Sequence, residues 1–336
     1  MPERVNPLQI IQGLLQGIAP PRPLFLPIVF SHGARVENIP LRAFLSNPTK
    51  ISNALRQIRG RLRADGITCY FDPFLEAETL GAVVEWDAAG QSASLHLPKH
   101  AGGGEMPEGV PPGEPLRDSR VAVAVEVIRR LKALVRDDCV LMAGVTGPFT
   151  LGALLTHTAS GSDVPPYREI PPAAMDLGAA VISGIAKAFV EAGADAILLR
   201  EDVFPTLSVE DAADWAARLA TTINIIRFYQ ALPVLLLTCA RSVAANRELI
   251  LGQPWECVVS TPLEGMHADR AAPGAVRGVA LPVGAFEPGE AGEAVFEEAL
   301  HSMRSAPKPA IVTTAGDVPA MADMERLNKL WENIRL

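Results

Sequence analysis

Short, uninterrupted apolar runs recur along this chain, and most are followed by a stretch with apolar residues at helical spacing. That alternation limits the fold more than any other feature. Runs over 24–30, 67–71, 139–145, 196–199, 233–237, 257–260, 276–281 and 310–313 predict strands. Helices are predicted over 48–62, 121–135, 172–192, 209–229, 291–303 and 324–334. In the first of these, Ile51, Leu55, Ile58 and Leu62 share one face. The 172–192 stretch stops at Gly193, a residue suited to a helix C-terminus. Strands that are apolar throughout, rather than alternating, belong in a parallel sheet covered on both faces. Eight such units make a (β/α)8 TIM barrel the most economical α/β architecture. A doubly wound sheet is the alternative, but no GxGxxG follows the first strand and no phosphate-binding GxxxxGKS/T occurs. No Pro-rich linker divides the chain, so residues 1–336 are read as one domain.

The remaining segments are shorter. Residues 83–87 and 93–97 predict a hairpin through Gly90, and the Gly- and Pro-rich stretch 99–115 predicts a long loop. Residues 1–17 carry Leu8, Ile11, Leu14 and Leu15 at helical spacing and lack a signal-peptide pattern. Thirty basic residues stand against 38 acidic ones, a net charge of −8 without a basic block, which excludes sequence-independent nucleic-acid binding. The cysteines at 69, 139, 239 and 257 form no CxxC pair and sit in or beside apolar runs, which fits a reducing cytoplasm. No uncharged apolar run reaches the roughly 18 residues of a membrane span, so no membrane partner is expected.

In a barrel the chemistry sits just past the carboxyl ends of the strands. The candidates there are His32 and Arg35, Asp72 and Glu76, Thr146, Arg200, Glu201 and Asp202, Thr238 and Cys239, and Thr314 and Asp317. His32 lies between a strand and Gly33, where an imidazole can act as a base or bind a metal. Asp72 and Glu76 are four apart and face the same way if Pro73 opens a helix. The plain alternatives are an N-cap for Asp72 and a solvated first-turn acid for Glu76. A thiolate at Cys239 can hold zinc, whereas a buried inert cysteine is the commoner outcome.

These residues carry a resemblance. Residues 72–81, from Asp72-Pro73-Phe74 to Leu80-Gly81, are similar to the strand-two aspartate segment of the uroporphyrinogen decarboxylase superfamily. Gly147-Pro148-Phe149-Thr150-Leu151 resembles that superfamily's Gly-x-Pro-Phe/Trp-Thr-Leu segment. Residues 192–196, Leu237-Thr238-Cys239 and the closing 313–319 follow in order. The superfamily joins the decarboxylase to corrinoid-linked methyltransferases, and its fold is a (β/α)8 barrel. The decarboxylase's arginine-rich first-strand motif is matched here by Ser31-His32-Gly33-Ala34-Arg35. The methyltransferase branch binds zinc through His-x-Cys and a late Cys; here Leu237 takes the His position and Ala315-Gly316 the late-Cys region.

The resemblance implies methyl transfer from a small donor, such as a methoxylated compound, to a corrinoid carried by a partner protein. Asp72, His32 and Glu76 are then the expected catalytic residues. Arg35, Phe149, Arg200, Glu201 and Thr314 are the expected substrate contacts, and Cys239, Glu76 and His32 the expected zinc set. A homodimer is also implied. Decarboxylation of a porphyrinogen or smaller acid, and a non-catalytic binding barrel, are the alternatives.

Overall fold

The computed structural model describes residues 5–96, 119–135, 138–156, 164–253, 255, 257–261, 276–305 and 308–334. The predicted loop over 99–115 lies outside them. Strands β1 (Leu24–Phe25), β2 (Gly66–Tyr70), β3 (Val83–Trp86), β4 (Ala93–His96), β5 (Val140–Thr146), β6 (Ala196–Glu201), β7 (Leu232–Leu237), β8 (Cys257–Ser260), β9 (Val276–Leu281) and β10 (Ile311–Thr314) follow in chain order. Eight of them form one parallel sheet in the order β1-β10-β9-β8-β7-β6-β5-β2, and β3 and β4 pair separately as an antiparallel hairpin. The sheet rolls into a nearly closed α/β barrel with helices outside. β2, β6 and β7 are buried along their whole length, which is why their sequences do not alternate.

β1 and β2 share no main-chain ladder. Two side chains and one main-chain bond just before β2 bridge the seam instead. The Thr68 hydroxyl donates to the Pro27 carbonyl at 3.1 Å, and the Asp65 carboxylate accepts the Phe25 N–H at 2.9 Å. The Asp65 N–H donates back to the Phe25 carbonyl at 3.0 Å. β1 is shorter than the predicted run over 24–30. Pro27 has no N–H to continue a ladder, and beyond it the Ile28 N–H takes the Thr314 hydroxyl as acceptor at 3.0 Å. Cys139 lies one residue before β5 rather than inside it.

Local signals account for the helices. Asn47 caps the Pro48–Arg61 helix by accepting from the Lys50 N–H, with Pro48 in the first turn. Ser208 and Asp211 form a reciprocal capping box for Val209–Phe228. Pro172–Ala192 ends on Gly193 in the left-handed region, φ 109°. This last helix is long and apolar enough to cross a membrane by length and composition. Here it packs on β5 and β6 and against the neighbouring helices.

Candidate active site

The turn after β2 supplies two acids. The Asp72 Oδ1 accepts the Phe74 N–H at 3.0 Å and braces the turn, so the helix Leu75–Thr79 starts later than a Pro73 opening predicts. The Asp72 Oδ2 is ion-paired with Arg120, whose Nε also reaches Glu78 Oε2 at 2.6 Å. Burial raises the Asp72 pKa, and Arg120 and the Phe74 N–H pull it back down. Glu76 sits one turn on and is 1% exposed. Its Oε1 accepts the Thr146 N–H at 3.0 Å, from the end of β5. Its Oε2 has no hydrogen-bond partner among the described residues. The Thr146 hydroxyl lies close enough to pull the carboxyl's pKa down but makes no hydrogen bond among the described residues. Burial pushes the Glu76 carboxyl up to about 7, against the opposing Thr146 N–H.

Thr146 is the register partner of Arg200 on β6. Arg200 is 4% exposed, and its guanidinium carbon lies 4.5 Å over the Phe71 ring. Its Nε is 2.8 Å from Asp202 Oδ2 but misaligned for a hydrogen bond. The Arg200 charge lowers the pKa values of Asp72, Glu76 and Asp317, so the cation lies within electrostatic reach of all three acids. The carboxyl ends of β2, β5 and β6 therefore form one arc with an acid whose pKa is raised to about 7, a paired acid and a buried cation.

Glu201, the next residue on β6, turns the other way. It is fully buried and accepts the Phe149 N–H at 3.2 Å, the Thr150 N–H at 2.7 Å and the Trp215 Nε1–H at 2.9 Å. It thus satisfies the first turn of the Pro148–Thr156 helix, and burial lifts its carboxyl to about 7. A Cβ on Gly147 would collide with this carboxyl. Gly147-Pro148-Phe149-Thr150 is thus a helix start wrapped around a buried acid. Phe149 is fully buried and stacked on Tyr167 at 5.5 Å, so it serves as wall.

The ends of β1 and β10 form a second arc. The Asp317 carboxylate accepts the Phe30 N–H at 2.7 Å and the Ser31 N–H at 2.8 Å, and burial lifts it to about 6. Thr314 is fully buried, and its hydroxyl donates to the Gly316 carbonyl at 2.7 Å. Both residues fasten β10 to the segment after β1. His32 Nδ1 lies 2.9 Å from the Ala320 carbonyl. A carbonyl only accepts, so Nδ1 carries the proton and Nε2 keeps its lone pair. Burial lowers the His32 pKa, against the Ala320 hydrogen bond, and favours the neutral ring. Arg35 is exposed, shares the Ala320 carbonyl at 3.2 Å and borders a surface cavity of about 660 Å³ with Asn38 and Met321.

The expected zinc set is not assembled among the described residues. No group of three or more His, Cys, Asp or Glu side chains there could hold a metal ion. The strand order explains it. Cys239 follows β7 and His32 follows β1, four places apart in the eight-stranded sheet, and Glu76 follows β2, three from β7. The donor set does not fit zinc. Arg120 and Glu78 are the residues that sequence reasoning misses: Arg120 is 48 positions from Asp72 and follows the long Gly- and Pro-rich stretch. No local signal marks it.

A parallel barrel with ionisable groups gathered at the carboxyl ends of its strands defines the class: a TIM-barrel protein built as enzymes of that fold are built. The chain belongs to the uroporphyrinogen decarboxylase (URO-D) family, whose model matches residues 11–334, and members of that family are enzymes. Among solved structures it is similar to a methyltransferase from Methanosarcina mazei, with 17% identity, 99% of each chain covered and a TM-score of 0.75. It is also similar to a B12-independent methionine synthase from Shewanella sp. W3-18-1 in complex with selenomethionine, with 13% identity, 87% of this chain and 88% of that one covered, and a TM-score of 0.53. At these identities the likeness shows the fold. A comparison with curated proteins finds no match.

Proposed function

We propose that this barrel is a methyltransferase that takes a methyl group from a small donor and passes it to a corrinoid carried by a partner protein. One observation carries the reading: Glu76 is a buried carboxyl lifted to about 7 with one oxygen unpartnered. Such a group keeps a substantial protonated share near neutral pH, where a leaving heteroatom needs a proton. The methyl–heteroatom bond breaks, the heteroatom keeps the electron pair and takes the Glu76 proton, and the acceptor's lone pair forms the new bond to carbon. The corrinoid, when docked in its reduced state, supplies that nucleophile. Because Oε2 is closed off from bulk solvent, donor binding has to bring the leaving atom to it or to the neighbouring Thr146 hydroxyl. Asp72, tied to Arg120, holds the β2 turn that carries Glu76. The likeness to the Methanosarcina mazei methyltransferase along the full chain supports the reading. The residues do not fit zinc, and the proposal takes no step through a metal.

The test is methyl release from methoxylated donors in the presence of a reduced corrinoid protein, followed across pH. Wild-type kcat should fall as pH rises through about 7, where Glu76 loses its proton. Glu76→Gln should lower kcat by roughly 100-fold or more and flatten that limb. An unchanged rate and profile in the variant would sink the reading. A second reading, decarboxylation of a porphyrinogen or smaller acid, is favoured by the buried Asp72 with its raised pKa at the strand-two end. Release of carbon dioxide without methyl transfer, lost in Asp72→Asn, would put it first. Turnover of either kind rejects a purely binding barrel.

A further inference from the structure

We infer that the methyl donor carries a carboxylate close to its methyl-bearing heteroatom, and that Arg200 is the residue that selects it. The inference rests on the methyl-transfer reading for the reaction, but its binding half stands on geometry of its own. Buried arginines elsewhere in the chain have work to do. Arg120 holds Asp72 and Glu78, and Arg326 holds the carbonyls of Ala285, Glu287 and Gly289. Arg200 is as deeply buried, yet neither Nη1 nor Nη2 has a hydrogen-bond partner among the described residues, and neither is sealed from solvent. Its Nε side faces Asp202, and the Phe71 ring fixes the plane of the guanidinium. What is left uncommitted is a rigid, planar pair of donors, the geometry that a carboxylate matches with two parallel hydrogen bonds.

The register sets the length of the donor. Arg200 lies opposite Thr146 on the adjacent strand, and the Thr146 N–H holds Glu76. Neighbouring strands are about 4.8 Å apart, and the Arg200 charge reaches the Glu76 carboxyl, so the anchor and the proton source face one small site. A donor spanning them has its heteroatom within a few bonds of the carboxylate, as in 2-methoxybenzoate or methoxyacetate.

The test is calorimetric binding to the full chain of these two acids and of their neutral counterparts, 2-methoxybenzamide and methoxyacetamide. At least one acid should bind ten-fold or more tightly than its amide. Arg200→Gln should abolish that preference, and Arg200→Lys, which keeps the charge without the fork, should retain part of it. Equal binding of acid and amide, no binding of either acid, or an undiminished preference in a folded Arg200→Gln variant overturns the inference. The wild-type comparison stands even if a variant fails to fold. Acid-selective binding without methyl release upholds the role of Arg200 and counts against methyl transfer. Methyl release from the neutral donors, unaltered in Arg200→Gln, upholds methyl transfer and overturns the inference.

Discussion

The four-residue spacing of Asp72 and Glu76 predicts a shared helical face, and the chain gives the two acids separate environments. Asp72 braces the turn and pairs with Arg120, while Glu76 takes the main chain of β5 and keeps one oxygen unpartnered. The candidates themselves are legible in sequence because polar residues stand out just past apolar strands. Their partners are not, since Arg120 reaches Asp72 across 48 residues. The same blindness applies to Glu201: its position on β6 is legible, but its bonds to Phe149, Thr150 and Trp215 are not. The Asp72 side chain is 2% exposed and that of Arg120 11%, so removing the cation strands a buried charge. Arg120→Met should therefore cost about 3–5 kcal/mol in urea unfolding. In an Asp72→Asn background the same change should cost much less. Equal costs in the two backgrounds would show that the pair is not coupled.

At the scale of elements, strands and long helices follow from apolar runs and period. The predicted 172–192 and 324–334 helices and the 257–260 and 276–281 strands match the observed bounds. The short helices His32–Val36 and Leu41–Leu45 escape such a reading because five residues show too little of a helical period. Pro148–Thr156 escapes for another reason: it is apolar nearly all round and has no polar face to betray it. Its start is nevertheless written in Gly147. The Glu201 carboxyl that a Cβ would strike is held by three N–H donors and has little room to yield. Gly147→Ala should lower stability by about 1–3 kcal/mol, read as a drop in Tm. A wild-type Tm would mean that the carboxyl gives way.

For the whole molecule, the buried acids set how stability depends on pH. Glu76 and Glu201 move from an ordinary 4.5 to about 7, and Asp317 from 3.8 to about 6. Each binds its proton more tightly folded than unfolded. The stability each contributes is complete below its ordinary value and is lost as pH rises through its folded one. For each glutamate the shift corresponds to about 3 kcal/mol. His32, whose pKa is lowered, opposes this and loses its contribution as pH falls below its ordinary 6.5. Three carboxyls outweigh one imidazole, so the protein should be less stable at pH 8 than at pH 5.5, and Glu76→Gln should shrink the difference. A Tm that rises over that interval would contradict the protonated state assigned to these acids. The barrel wall has its own asymmetry. β2 is laced by its backbone to β5 alone, and its other edge is clasped to the β1 segment by Thr68 and Asp65. The cylinder is thus a scroll with one buttoned edge, and the loop bearing Asp72 and Glu76 grows from that edge: the acids sit on the flap, the guanidinium of Arg200 on the fixed roll.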